Sequence, residues 1–330
     1  MKTRIDFLLL LLIVLSYSSC NQSSKNQKMK SKIVIAHRGA SGYLPEHTME
    51  SKIMAHGMNV DFIEQDLVLS KDNVPIVIHD IYLDDVTNVS TIFPEKKRED
   101  NRFYVIDFTF EELKQLTVFE RFNPKTGNQV YPNRFSKRTS NFKLHSLQEE
   151  IEVIQELNEK TRKNIGIYPE IKAPAFHHKE GKDISKIVLE ILSKYGYNSK
   201  KDNCILQCFD ATELKRIRTE LKSNLFLVQL IEHLKETKLL KDFATYLDGV
   251  GPWYKLLIAD SKSEKIEYSN FVAEVHELGL KVHVYTLRED DVKDYSNFNE
   301  MMNSLFFEAN IDGVFTDFPD VVIEFLNATQ

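Results

Sequence analysis

Residues 62–80 read FIEQDLVLSKDNVPIVIHD, and the fold turns on how this stretch doubles back. Two apolar, β-branched runs, 62–69 and 74–79, are separated only by Ser70-Lys71-Asp72-Asn73. A parallel crossover needs about a dozen residues, so this short link of turn formers predicts an antiparallel hairpin. Side chains two apart on a strand share a side, which puts Glu64 and Asp66 on one face. The return run then carries His79 back beside them.

Working outward, the runs IVIAH (33–37), IGIYPEI (165–171), CILQCF (204–209), LFLVQLI (225–231), DGVG (248–251), KVHVYT (281–286) and DGVFT (312–316) complete the set of strand-like segments. Apolar residues at three- and four-residue spacing mark helices between most of them, as in SLQEEIEVIQELNEK and KDISKIVLEILSKYG. Such alternation predicts right-handed βαβ units and a parallel sheet. Setting aside the return run of the hairpin leaves eight parallel strands, the count of an α/β (β/α)8 TIM barrel. Residues 81–145 are rich in charge, aromatics and turn formers, with one helical piece, FTFEELKQL (108–116). Structureless loops of that length are rare in compact domains. The segment is therefore read as a small inserted subdomain at the C-terminal face of a barrel spanning 32–330.

Hydrophobic residues make up 42% and charged residues 28%, which suits a globular chain with a sizeable core and excludes a polytopic membrane protein. The formal charge is −6 without a basic stretch, so no nucleic-acid partner is expected. Residues 1–20, MKTRIDFLLLLLIVLSYSSC, place Lys2 and Arg4 before a short apolar run, the pattern of a signal peptide. Cys20 after Ser18-Ser19 resembles the lipidated cysteine of a bacterial lipoprotein, with residues 21–31 as a tether. The expectation is an exported, periplasmic protein held to a membrane by a lipid anchor at Cys20. Cys204 and Cys208 are four apart on a predicted strand, about 13 Å along it, too far for a disulfide; both are expected to be buried thiols.

Four clusters fall at predicted strand ends: AHRG (36–39), EQD (64–66), IHD (78–80) and PEIK (169–172). Converging Glu64, Asp66 and Glu170 would repel one another unless a cation sat between them, and oxygen-only ligands select a hard ion such as Ca²⁺ or Mg²⁺. His37 and His79 are suited to proton transfer near neutral pH. Arg38 can grip two phosphate oxygens, and Lys172 supplies a point charge. Cation, imidazole pair and basic side chains together describe phosphodiester hydrolysis. Trp253, the single tryptophan, follows GVGP at a strand end, where it would wall the pocket.

The blocks HRGASGYLPEHT, EQDLVLSKDNVPIVIHD, IGIYPEIKAP with HHKEGKDI, LQCFD and GVFTDFPD resemble the glycerophosphodiester phosphodiesterases, specifically their exported, Ca²⁺-using bacterial branch. The resemblance runs from about Ile33 to Asp320 and keeps block order and spacing. It implies a TIM barrel with an insertion after the HD block, acting on deacylated phospholipids such as glycerophosphocholine or glycerophosphoethanolamine. The products would be sn-glycerol 3-phosphate and an alcohol. It also implies acid–base roles for His37 and His79, one divalent cation, first of all Ca²⁺, on Glu64, Asp66 and Glu170, and a phosphate held by Arg38 and Lys172. Two departures stand out: Ala175 replaces the branch's usual aromatic, and the segment after residues 229–231 is short. The rival readings are a phospholipase C- or D-like enzyme on intact lipid, against which the charged segment TIFPEKKREDNRFYVID argues, and a non-catalytic surface lipoprotein.

Overall fold

The computed structural model describes residues 32–136, 141–260 and 266–329. The expected signal peptide, Cys20 and the tether lie outside the described residues. No described helix is long and apolar enough to cross a membrane.

The strands are β1 (Ile33–Ala36), β2 (Phe62–Leu69), β3 (Pro75–Val77), β4 (Gly166–Ile171), β5 (Ile205–Cys208), β6 (Phe226–Ile231), β7 (Gly249–Pro252), β8 (Ile258–Asp260), β9 (Glu267–Tyr268), β10 (Lys281–Leu287) and β11 (Gly313–Thr316). Eight of them run parallel in the cyclic order β1-β2-β4-β5-β6-β7-β10-β11, with β11 returning to β1. This is the (β/α)8 barrel expected from the strand count. The hairpin is also as read: β3 lies antiparallel on the end of β2, with Leu67 opposite Val77 and Leu69 opposite Pro75. Its return strand ends at Val77, so His79 sits just past the ladder rather than at its last rung. The short β8–β9 hairpin has no apolar alternation in sequence and was not foreseen.

Helix boundaries follow local capping chemistry. The helix Leu147–Thr161 opens with a capping box in which Ser146 and Glu149 satisfy each other's backbone N–H groups. FTFEELKQL makes a shorter helix than its pattern suggests, Phe110–Leu113, opened by the same device from Thr109 and Glu112.

Two apolar clusters matter for the site. Inside the barrel, Ile35, Tyr168, Ile205, Val228 and Phe315 fill the lumen, so the cavity above them has a closed floor. Between residues 81 and 145, Leu83, Val105, Phe108, Leu116 and Val118 pack with Val68 and Ile76 of the hairpin. That second cluster lets the segment hold side chains in fixed positions over the strand ends. Cys204 and Cys208 are buried and unpaired with each other, and the Cys208 thiol donates to the Ile171 carbonyl at 3.2 Å.

Candidate active site

Parallel register assembles the acidic cluster. Asp66 on β2 lies opposite Glu170 on β4, which lies opposite Gln207 on β5, so three neighbouring strands present these side chains at one level. Glu64 reaches the same level from one pleat below. Its two oxygens accept from the Arg38 backbone N–H at 2.7 Å and from Gln207 Nε2 at 3.2 Å. One oxygen each from Glu64, Asp66 and Glu170 lies within 4.8 Å of the others, and all three residues are buried. The outward face of β2 is locked as well: Gln65 donates to Glu150 at 2.7 Å, and the fully buried Lys52 donates to the Glu64 carbonyl.

The cluster is under electrostatic stress as it stands. Burial, with the Asp66 charge added to it, pushes the Glu64 carboxyl well above its usual range. Burial also pushes Glu170 up to about 8, against the pull of Lys172. Asp66 goes the other way: burial opposes its ionisation, but Lys172 and the histidines around it hold it well below the usual range. Asp66 Oδ1 has no hydrogen-bond partner although it is buried. An orphaned carboxylate oxygen among three convergent acids fits a hard divalent cation.

Arg38 stands in the left-handed region, φ 59°, which turns its backbone N–H onto Glu64. Gly39, at φ 90°, completes the turn; a Cβ there would come within 2.9 Å of the Ser51 backbone. The Arg38 guanidinium donates to Glu46 at 3.0 Å, and Lys172 Nζ lies 2.7 Å from Glu170 and 3.6 Å from Asp66. Both cations therefore serve the carboxylates while still lining the cavity.

Each histidine is backed by an aspartate. His37 Nδ1 donates to Asp317 at 2.5 Å, and His79 Nδ1 to Asp80 at 2.9 Å. Burial lowers His37 to about 4, with Arg38 adding to the effect and Asp317 offsetting part of it. Burial likewise lowers His79 to about 4, helped by Arg38 and Lys172. Two neutral imidazoles with Nδ1–H committed to carboxylates keep Nε2 as a proton acceptor on the cavity side.

His37, His79, Glu64, Asp66, Glu170, Arg38, Lys172 and Trp253 thus border one cavity of about 190 Å³. The sequence profile of the glycerophosphoryl diester phosphodiesterase family matches residues 37–321. Glycerophosphodiester phosphodiesterases from Haemophilus influenzae and Treponema pallidum are 45% and 38% identical to the chain. The first alignment covers 95% of both chains, and the second 89% of this one and 92% of the relative. The chain belongs to this family. A solved structure from Silicibacter pomeroyi shares the fold at a TM-score of 0.71 and 21% identity, over 91% of this chain and 95% of that one. A phosphodiesterase from Oleispira antarctica, solved with its product sn-glycerol-3-phosphate, does so at 0.62 and 19%, over 89% and 96%.

Several residues of this phosphodiesterase's site escaped the sequence reading. Asp317 was visible only as part of GVFTDFPD; its other oxygen accepts from Arg288 at 2.7 Å and Arg134 at 2.8 Å. His47 Nε2 lies 2.7 Å from Asp66, and Gln207 bridges to Glu64. Phe209, Tyr285 and Trp253 form an aromatic side of the cavity, with Trp253 37% exposed at its mouth. A second group, His178, Asp183 and Glu213, also converges, but Arg216 already bonds both of its carboxylates.

Glu120, in the segment after the hairpin, is 2% exposed, and its Oε2 has no partner. Burial, with Glu46 adding to it, raises its carboxyl to about 8. A carboxyl raised by folding binds its proton more tightly in the native state. Its contribution to stability is full below the unfolded value of about 4.5 and is lost as pH climbs through about 8. Glu120→Gln should therefore match the phosphodiesterase in melting temperature near pH 4 and exceed it by a growing margin towards pH 9. A constant difference across that range would show that folding leaves the Glu120 carboxyl at its ordinary value.

Proposed function

We propose that this phosphodiesterase hydrolyses glycerophosphodiesters such as glycerophosphocholine and glycerophosphoethanolamine to sn-glycerol 3-phosphate and the head-group alcohol. The observation that carries the reading is the meeting of three buried carboxylates and two aspartate-backed imidazoles at one cavity. In this reading Glu64, Asp66 and Glu170 hold a divalent cation, Ca²⁺ in first place. When bound, that ion supplies positive charge to a non-bridging phosphate oxygen.

The chain's own groups do the rest. Arg38 and Lys172 share the remaining phosphate charge and fix its orientation. One imidazole takes the proton of the attacking hydroxyl as the new O–P bond forms. The other protonates the departing alcohol oxygen as the old P–O bond breaks. The phosphate's negative charge beside an imidazole favours its protonated form, which supplies the acid. The nucleophile is either water or the adjacent glycerol hydroxyl, the second giving a cyclic 1,2-phosphate that water opens. A cyclic-phosphate resonance in phosphorus NMR during turnover selects the second route.

Release of glycerol 3-phosphate from glycerophosphocholine with Ca²⁺ present, set against intact phosphatidylcholine vesicles, tests the activity. Turnover of the soluble diester alone supports the proposal; turnover of vesicles alone replaces it with a lipase reading. The charged leader and Cys20 support export to the periplasm with a lipid anchor, and fatty-acid labelling lost in Cys20→Ala would establish it.

A further inference from the structure

Arg121 lies in the segment between the hairpin and the helix Leu147–Thr161, and its hydrogen bonds go to Glu46 and Asp80 rather than to Glu64, Asp66 or Glu170. Each of its three guanidinium nitrogens nonetheless donates at the edge of the site. Nε and NH2 donate to the two oxygens of Glu46 at 3.0 and 2.6 Å, and NH1 donates to Asp80 Oδ2 at 2.7 Å. Those two carboxylates are the partners of two different functional side chains: Glu46 accepts from Arg38 at 3.0 Å, and Asp80 accepts from His79 at 2.9 Å. One planar cation thus ties together the outer partner of a phosphate-binding arginine and that of an acid–base histidine.

The backbone holding Arg121 is itself fixed. Phe119 and Phe122 N–H donate to the carbonyls of Val86 and Asp85 at 2.8 and 2.9 Å, and Val130 N–H donates to the Arg121 carbonyl at 2.9 Å. Val86 and Val118 belong to the apolar cluster of this segment, so its packing sets where the guanidinium sits. The opposite histidine is held differently. Asp317 behind His37 has two arginine partners, Arg288 from just beyond β10 and Arg134 from the segment. Asp80 has Arg121 as its arginine.

We propose that Arg121 is a positioning residue for the reaction, acting through Asp80 on His79 and through Glu46 on Arg38. The inference rests on the acid–base and phosphate-binding roles given above. A guanidinium forks onto two carboxylates at once in fixed geometry, whereas an ammonium is a single point of charge. Without Arg121, Asp80 loses the bond that aims it at Nδ1 and His79 loses its set orientation. Glu46 meanwhile collapses onto Arg38 and draws it away from the phosphate. The first effect lowers kcat, the second raises KM, and neither reaches the cation carboxylates.

Steady-state kinetics on glycerophosphocholine at saturating Ca²⁺, with Ca²⁺ affinity from calorimetry, test this in the full chain. Arg121→Gln should lower kcat by about 30-fold and raise KM by about 5-fold, the scale seen when outer partners of functional ligands are removed, with the Ca²⁺ dissociation constant within about twofold. In a His79→Asn background the same change should cost no further kcat while KM still rises. In a Glu46→Gln background it should cost kcat while KM no longer rises. Arg121→Lys, which keeps the charge and serves as a second variant should the glutamine not fold, should recover one of the two parameters but not both. Wild-type kcat and KM in Arg121→Lys, or an equal kcat loss with and without His79, would overturn the inference while leaving the histidine roles intact. Wild-type kcat in His79→Asn alone would overturn the roles beneath it.

Discussion

Replacing His79 with asparagine should lower kcat on glycerophosphocholine by about 10²–10⁴-fold, the usual contribution of a positioned acid or base, and His37→Asn should do the same. The expectation rests on how each ring is held. His79 gives Nδ1–H to Asp80, and His37 gives Nδ1–H to Asp317, so in each ring only Nε2 remains for substrate. Burial lowers both rings to about 4, so both are neutral near pH 7 before substrate enters. Asparagine keeps a donor for the aspartate but cannot exchange a proton with a reacting oxygen. The fold should survive, because each ring lies beyond a strand end, His37 after β1 and His79 after β3, rather than within a strand. Glycerol 3-phosphate release, with circular dichroism as the control, checks this. A folded His79→Asn enzyme with wild-type kcat would remove the histidine from the mechanism.

The second large effect concerns the cation. Glu64→Gln should abolish Ca²⁺-dependent activity, and excess chelator should do the same to the unaltered enzyme, reversibly on adding Ca²⁺. The stability consequence is opposite in sign and more diagnostic. In chelator, three converging carboxylates repel, and Glu64 is pushed above its usual range by burial and by Asp66. Removing its charge should leave the variant at least as heat-stable as the parent in chelator. With Ca²⁺ added, the parent should gain stability in proportion to ion binding, by about 2.7 kcal/mol at a hundred times the dissociation constant, and the variant should gain nothing. Melting curves with and without Ca²⁺ for both proteins give the answer. Equal Ca²⁺ stabilisation of parent and variant would place the ion elsewhere.

Much of this site was readable before any coordinates, for a local reason. Strand period alone puts Glu64 and Asp66 on one side, and the four-residue link of 70–73 alone forces the hairpin that returns towards them. Strand counting predicts closure because eight parallel strands with crossovers form a known, closed solution. Helix lengths were less legible where packing rather than periodicity decides, as in the four-residue helix Phe110–Leu113.

What the sequence by itself determined, then, was which residues face together within one strand or one turn. That information is carried by bond geometry and repeats every two or every three to four residues. Tertiary structure alone decided that Asp66 stands opposite Glu170, that Asp317 reaches His37 across 280 positions, and that Arg121 joins Asp80 to Glu46. Contacts of that kind depend on register between distant strands and on how one folded segment seats over a barrel mouth. No periodicity in the chain records either.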